Sequence, residues 1–172
     1  MKRTLALLAL ILLPAAAHAQ FFVEGTFGGA KADLRDFEDL GFLTDDSTGT
    51  WSLGGGYMFN RFLGVEAGYR AIGDTEIRSP AGSTKSDATG IYVGPVFETF
   101  VERFRLHARI GVFSWKSDPS TFTGKDDGLD AYVGLGAGYA MTEKALFGLS
   151  WTRYRLDEVN VDAFDIRLRY SF

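Results

Sequence analysis

Apolar and polar residues alternate one by one along most of this chain. The pattern is plainest at its end, where Phe164, Ile166, Leu168, Tyr170 and Phe172 take turns with Ala163, Asp165, Arg167, Arg169 and Ser171. Successive side chains of a strand point to opposite faces, so such a run predicts a β-strand with one greasy and one charged face. Seven further stretches read the same way, at about 21–30, 49–58, 63–73, 88–98, 104–115, 129–140 and 145–155. In the fifth, for example, Phe104, Leu106, Ala108, Ile110 and Val112 oppose Arg105, His107, Arg109 and Gly111. No sustained helical period competes with this, and the class is all-β.

The predicted connections alternate in length. Residues 59–62, 99–103 and 141–144 make tight turns, whereas 31–48, 74–87 and 116–128 are long and rich in Asp, Ser, Thr and Gly. The link at 156–162 is shorter. Long connections therefore gather at one end of the sheet, with both chain termini at the other. An even strand count with this asymmetry is the pattern of a bacterial outer-membrane barrel.

The amino terminus has its own pattern. Lys2 and Arg3 precede an apolar run from Leu5 to Ala17, closed by Ala17-His18-Ala19. This reads as a secretory signal peptide over residues 1–19, cleaved to leave one domain over 20–172. The run is too short for a membrane helix, which needs about 20 apolar residues, and Pro14 interrupts it. Of the 172 residues, 172 − 19 = 153 remain, with 18 − 2 = 16 basic against 22 acidic side chains and a net charge of −6. Such a balance excludes nucleic acid as an expected partner. There is no cysteine to staple a small exported domain, so a closed sheet must supply the rigidity.

A soluble sandwich also has one apolar and one polar face. Three features favour a membrane barrel. Glycines, among them Gly54, Gly56, Gly68, Gly94, Gly134 and Gly136, concentrate on the polar face. The interior of an eight-stranded barrel is barely wide enough for its side chains, so small residues belong there. The same face carries Glu24, Glu66, Glu98, Asp130 and Asp165 against Arg70, Arg105, Arg109, Arg167 and Arg169, a set that can neutralise itself. Strands of ten or so residues, at ~3.3 Å each and ~45° tilt, also span roughly the apolar band of such barrels. The expected fold is an eight-stranded antiparallel up-and-down transmembrane β-barrel.

Here the chain resembles a known family. Its closing Tyr170-Ser171-Phe172 is similar to the carboxy-terminal signal read by the barrel-assembly machinery, and the mature chain opens on Phe21-Phe-Val-Glu-Gly-Thr-Phe-Gly-Gly29 and carries Gly54-Gly-Gly-Tyr57. With these it resembles the small barrels of the OmpA-like and OmpX-like superfamily. The resemblance implies export through the Sec pathway and an integral place in the outer membrane of a Gram-negative bacterium. It implies as partners the membrane lipid, lipopolysaccharide and the assembly machinery, with the barrel a monomer lacking the periplasmic domain of full-length OmpA proteins. Activity does not follow, because that fold hosts adhesins, structural proteins, small channels and lipid-modifying enzymes.

Candidate chemistry is sparse. His107, between Arg105 and Arg109, is the one histidine of the mature chain. Enzymes on related barrels pair a histidine with a serine or carboxylate, but Arg109 stands where a lipid A deacylase has its serine. An interior hydrogen-bonded histidine is the expectation, with no catalytic residue, metal or cofactor. The lumen charges are expected to form a packed salt-bridge core rather than a channel for small solutes or ions, since eight strands leave little space for water. The first long segment is acidic, with Asp33, Asp36, Glu38, Asp39, Asp45 and Asp46. It reads as a solvated loop with a short helical turn, though it suits a cationic partner or divalent ions bridging lipopolysaccharide. Asp126-Asp127-Gly128 with Asp130 lacks calcium-loop spacing and reads as a turn. The assembly resemblance carries a prediction: deletion of Phe172 impairs membrane insertion in cells more than stability of the refolded barrel, measured by heat-modified gel mobility.

Overall fold

The computed structural model describes residues 20–32, 43–45, 47–79, 82–117, 126–156 and 159–172, and these form one continuous antiparallel sheet. Its strands are β1 (Gln20–Ala32), β2 (Leu43–Asp45), β3 (Ser47–Met58), β4 (Leu63–Ser79), β5 (Gly82–Val101), β6 (Phe104–Ser117), β7 (Asp126–Ala140), β8 (Ala145–Leu156) and β9 (Val159–Ser171). β2 is a short addition beside β4, and the other eight close on themselves in chain order.

Closure has a definite stagger. Ala140 of β7 leads, partner by partner, through Leu146, Arg169, Glu24, Gly54, Gly68, Tyr92 and Phe113 to Asp130 of the same strand. The displacement is 140 − 130 = 10 residues. A staggered sheet of this size must tilt its strands and leaves a lumen only wide enough for side chains.

The barrel is built inside out relative to a soluble domain. Leu53, Ile91, Leu149 and Phe164 point outward at 61–63% exposure, while Glu24, Glu66, Arg70 and Arg109 point inward at 0–3%. Only lipid makes such an exterior favourable, and closure leaves no strand edge for lipid to strand.

The short-turn end is tightly tied. The Asn60 side chain accepts from the backbone N–H of Phe62 and Leu63, and Thr142 Oγ1 accepts from those of Lys144 and Ala145. Glu102 takes a left-handed φ of 57° in the two-residue turn between β5 and β6, as tight hairpins require. The Phe172 N–H donates to the Phe21 carbonyl at 3.0 Å, so the chain end is pinned to its beginning.

The other end departs from expectation. Residues 74–87 were expected as a loop, yet β4 and β5 continue as a hairpin up to the pair Ser79 and Gly82. The register slips between Ile72 and Thr75, and the arms then go on pairing. Period-two alternation reveals only strands with one greasy face; polar arms beyond the lipid can pair backbone to backbone without it. β2 likewise pairs Leu43–Asp45 with Arg78–Glu76 inside the supposed first loop. The helical turn expected in that loop, like the signal peptide, lies outside the described residues.

Glycine on the lumen side serves close approach. A Cβ on Gly54 would collide with the Tyr92 hydroxyl and come within 2.7 Å of the Ala67 carbonyl oxygen. Gly54→Val is therefore expected to cost about 1–3 kcal/mol by overpacking, read as a lower urea midpoint of the refolded barrel.

Candidate functional site

The lumen holds four buried carboxylates, Glu24, Glu66, Glu98 and Asp165, and four buried guanidinium groups, Arg70, Arg109, Arg167 and Arg169. Strand alternation from five staves, β1, β4, β5, β6 and β9, brings them together across long sequence separations. Buried ions are tolerable only when paired and hydrogen-bonded, and here the pairing is dense.

Glu24 is the hub. Its Oε2 accepts from Arg167 Nε at 2.6 Å and from Arg169 Nε at 3.0 Å, while Arg109 Nη1 lies 3.9 Å from its other oxygen. Arg169 Nη1 also donates to Glu98, and Arg105, one-fifth exposed, adds a looser pair with Glu98 at 3.8 Å. Arg109 sits 3.7 Å from Glu66 and donates to Thr152 Oγ1 at 2.5 Å, and Glu66 accepts from the Tyr132 hydroxyl at 3.1 Å. Farther from the short-turn end, Arg70 Nη2 donates to both oxygens of Asp165, at 3.0 and 2.8 Å.

His107 belongs to this network. Its Nδ1 lies 2.6 Å from Arg167 Nη1. A guanidinium can only donate, so Nδ1 accepts and the imidazole is the neutral tautomer with its proton on Nε2. Gly136 makes room for the ring, for a Cβ there would strike it.

Asp130 stands apart from the hub. It is half-buried at the long-strand end and accepts from Trp115 Nε1 at 2.7 Å. It marks a feature that sequence reasoning missed: an aromatic layer of Tyr92, Phe113, Trp115, Tyr132 and Tyr154 across the lumen. The rings interlock, with Phe113 and Tyr154 centroids 5.0 Å apart and Tyr92 set edge-on to Tyr132 at 5.9 Å. Arg70 lies 5.2 Å from the Tyr154 ring. The signal was present, because carrying the alternation of the fifth stretch past Val112 turns Phe113 and Trp115 inward. Toward the short-turn end Phe22, Met58 and Val96 form a second apolar cluster, and Arg169 lies over the Phe22 ring at 3.6 Å. The charged hub is thus held between two apolar layers. Tyr170 and Phe172, named for assembly, point outward at the short-turn end and stack edge-on at 5.2 Å.

Fold and lumen together define a class: a small closed barrel that crosses a membrane by its strands. The family model for the outer membrane protein beta-barrel domain matches residues 4–172. The chain belongs to that family and is an integral protein of the outer membrane. It is 27% identical over 160 residues to outer membrane protein A of Yersinia pseudotuberculosis, an alignment covering 83% of this chain and 45% of that protein. The chain thus spans less than half the length of that relative. Among solved structures it is similar to OprG of Pseudomonas aeruginosa, with a TM-score of 0.66 at 16% identity over 90% of this chain and 96% of that one. Neisserial surface protein A gives 0.62 at 16%, over 90% and 99%. Ail of Yersinia pestis, the attachment invasion locus protein solved with the heparin analogue sucrose octasulfate, gives 0.56 at 17%, over 89% and 99%. Likeness at those identities is likeness of fold.

Removing one member of a buried pair strands its partner. Arg70→Ala should cost about 3–5 kcal/mol of unfolding free energy in urea titrations, whereas Arg70→Met with Asp165→Asn, which removes both charges, should cost less.

Proposed function

We propose that this protein is a monomeric, non-enzymatic outer-membrane barrel with a closed lumen, whose role is structural or surface-interactive. The observation that supports this reading is the placement of the charged hub between two apolar layers. An ion entering from the long-strand end must first pass interlocked rings of Phe113, Tyr132 and Tyr154, whose fractional exposure is 0–2%. Apolar constrictions of this kind gate by dewetting, and the guanidinium groups behind them are already engaged by carboxylates.

The same contacts argue against catalysis. His107 is the one histidine of the mature chain, and its accepting nitrogen is occupied by a guanidinium. A general base must be within hydrogen-bond reach of its substrate's proton, and this one is walled off inside the barrel.

Surface interaction is then left to the polar extensions beyond the lipid. The neighbour Ail, the attachment invasion locus protein, was solved in complex with the heparin analogue sucrose octasulfate, a polyanion. This chain has a mature charge of −6 and six acidic residues between Asp33 and Asp46, which favour a cationic surface partner or divalent ions over a polyanion.

Wild-type protein in planar bilayers should give no discrete conductance steps, while Phe113→Ala with Tyr154→Ala should create them by opening the aromatic layer. A large step conductance from the wild type would overturn the closed-lumen reading. Mass spectrometry of lipid A after expression should show no added or missing acyl chain.

A further inference from the structure

We propose that the mouth of the lumen at the short-turn end is a binding site for a short zwitterionic peptide, with a free ammonium, a free carboxylate and an apolar side chain. The proposal rests on the outer-membrane placement, which turns the short-turn end to the periplasm. It is independent of whether the lumen conducts.

A cavity of about 330 Å³ lies between the β5–β6 and β7–β8 turns, and Phe100, Glu102, Arg103, Arg105, Met141 and Glu143 line it. Phe100 and Arg105 are cross-strand partners on the inward faces of β5 and β6, and Ala140 joins them from the inward face of β7. The cavity therefore opens into the lumen mouth and not onto lipid. Its volume is near the lower end for ligand pockets, which suits a small ligand.

The charges around it select the occupant. Among the described residues Arg105 makes no hydrogen bond, and its ion pair with Glu98 is 3.8 Å long. Glu98 is already engaged by Arg169. The Arg105 guanidinium stands 5.0 Å from the Phe100 ring with one-fifth of the side chain exposed. Arg103 gives one donor to the Tyr139 hydroxyl at 3.4 Å. Glu102 and Glu143 make no ion pair among the described residues. A simple anion would meet two carboxylates here, and a simple cation two guanidinium groups. A zwitterion satisfies both pairs.

Glu102 is a second, independent sign. Its φ of 57° is one that glycine and asparagine adopt more readily, so the turn itself has no need of a glutamate. The carboxylate is held at the cavity in spite of the backbone conformation.

The frame is also tied in place. The Ala140 N–H donates to the Arg103 carbonyl at 2.8 Å, and the Met141 N–H donates to the Ala145 carbonyl at 2.9 Å. Charged groups carried on fixed turns lose little freedom when they take a ligand. Arg103 and Arg105 hold the peptide carboxylate, Glu102 and Glu143 hold its ammonium, and its side chain lies against Phe100 and Met141.

The test is titration of the refolded mature barrel in lipid nanodiscs with leucyl-alanine, read on the Arg105 Hε and Met141 methyl resonances. Acetyl-leucyl-alanine, leucyl-alaninamide and phosphoethanolamine are the comparison probes. Leucyl-alanine should shift both resonances saturably, and each comparison probe should bind about tenfold more weakly or worse. Glu102→Gly relieves the turn, so this variant should fold at least as well as wild type yet lose most of the preference over the acetylated peptide. Arg105→Gln should lose the preference over the amide. Should that variant fail to show heat-modified gel mobility, because Arg105 touches the hub through Glu98, Arg103→Gln is read instead with the same loss expected. Absence of a saturable shift, equal binding of the blocked peptides, or undiminished preference in the folded variants would overturn the proposal. Tighter binding of phosphoethanolamine would also overturn it, by assigning the site to a lipid headgroup.

Discussion

The carboxylate of Glu24 stands where the chain closes on itself. β1 carries it, β9 supplies Arg167 and Arg169, and one oxygen accepts from both guanidinium groups. The seam between first and last strands is the longest-range junction in the protein, and loop-closure entropy opposes it until contacts across it reward closure. A charged seam would be weak in water. Inside a lipid-clad wall the effective dielectric is low, so the attraction is large but so is the penalty for leaving either charge alone. The remaining lumen follows from that constraint: every carboxylate brought in with Glu24 must meet a guanidinium, and glycine must thin the wall wherever a long side chain crosses.

The apolar layers complete the account. A charged core open to water would be screened and mobile; the Tyr92–Tyr154 aromatic layer and the Phe22 cluster flank this one, and the proposed closed lumen would keep its pairs dry and directional. Rigidity then takes the place of the disulfides that this chain lacks. The consequence for function is a division of labour. On the proposed reading, chemistry inside the barrel is committed to stability, and surface recognition falls to the polar strand extensions beyond the lipid.

Much of this was legible in the residues themselves. Alternation identified the eight staves, their inward charges and the membrane they cross, because period two maps directly onto the two faces of a strand. Pairing of the last strand with the first, which brings Arg167 and Arg169 to Glu24, could be expected from the sequence, but the partners of the other charges were not legible. That Arg70 meets Asp165 while Arg109 meets Glu66 depends on stagger, a property of the closed sheet that no single strand carries. Asp130 shows the same limit: its parity is inward, but the stagger places it beside Trp115 rather than at the hub. The hairpin continuing β4 and β5 escaped notice because its strands need no greasy face.

The central claim is that the lumen charges are dry and mutually neutralised, and the exchange of guanidinium protons tests it most directly. In lipid nanodiscs, the Hε resonances of Arg167 and Arg169, which the hub engages, should exchange with solvent far more slowly than that of exposed Arg61. Exchange of both at the rate of Arg61 would mean that water moves through the barrel, and the account of a sealed charged core would be wrong.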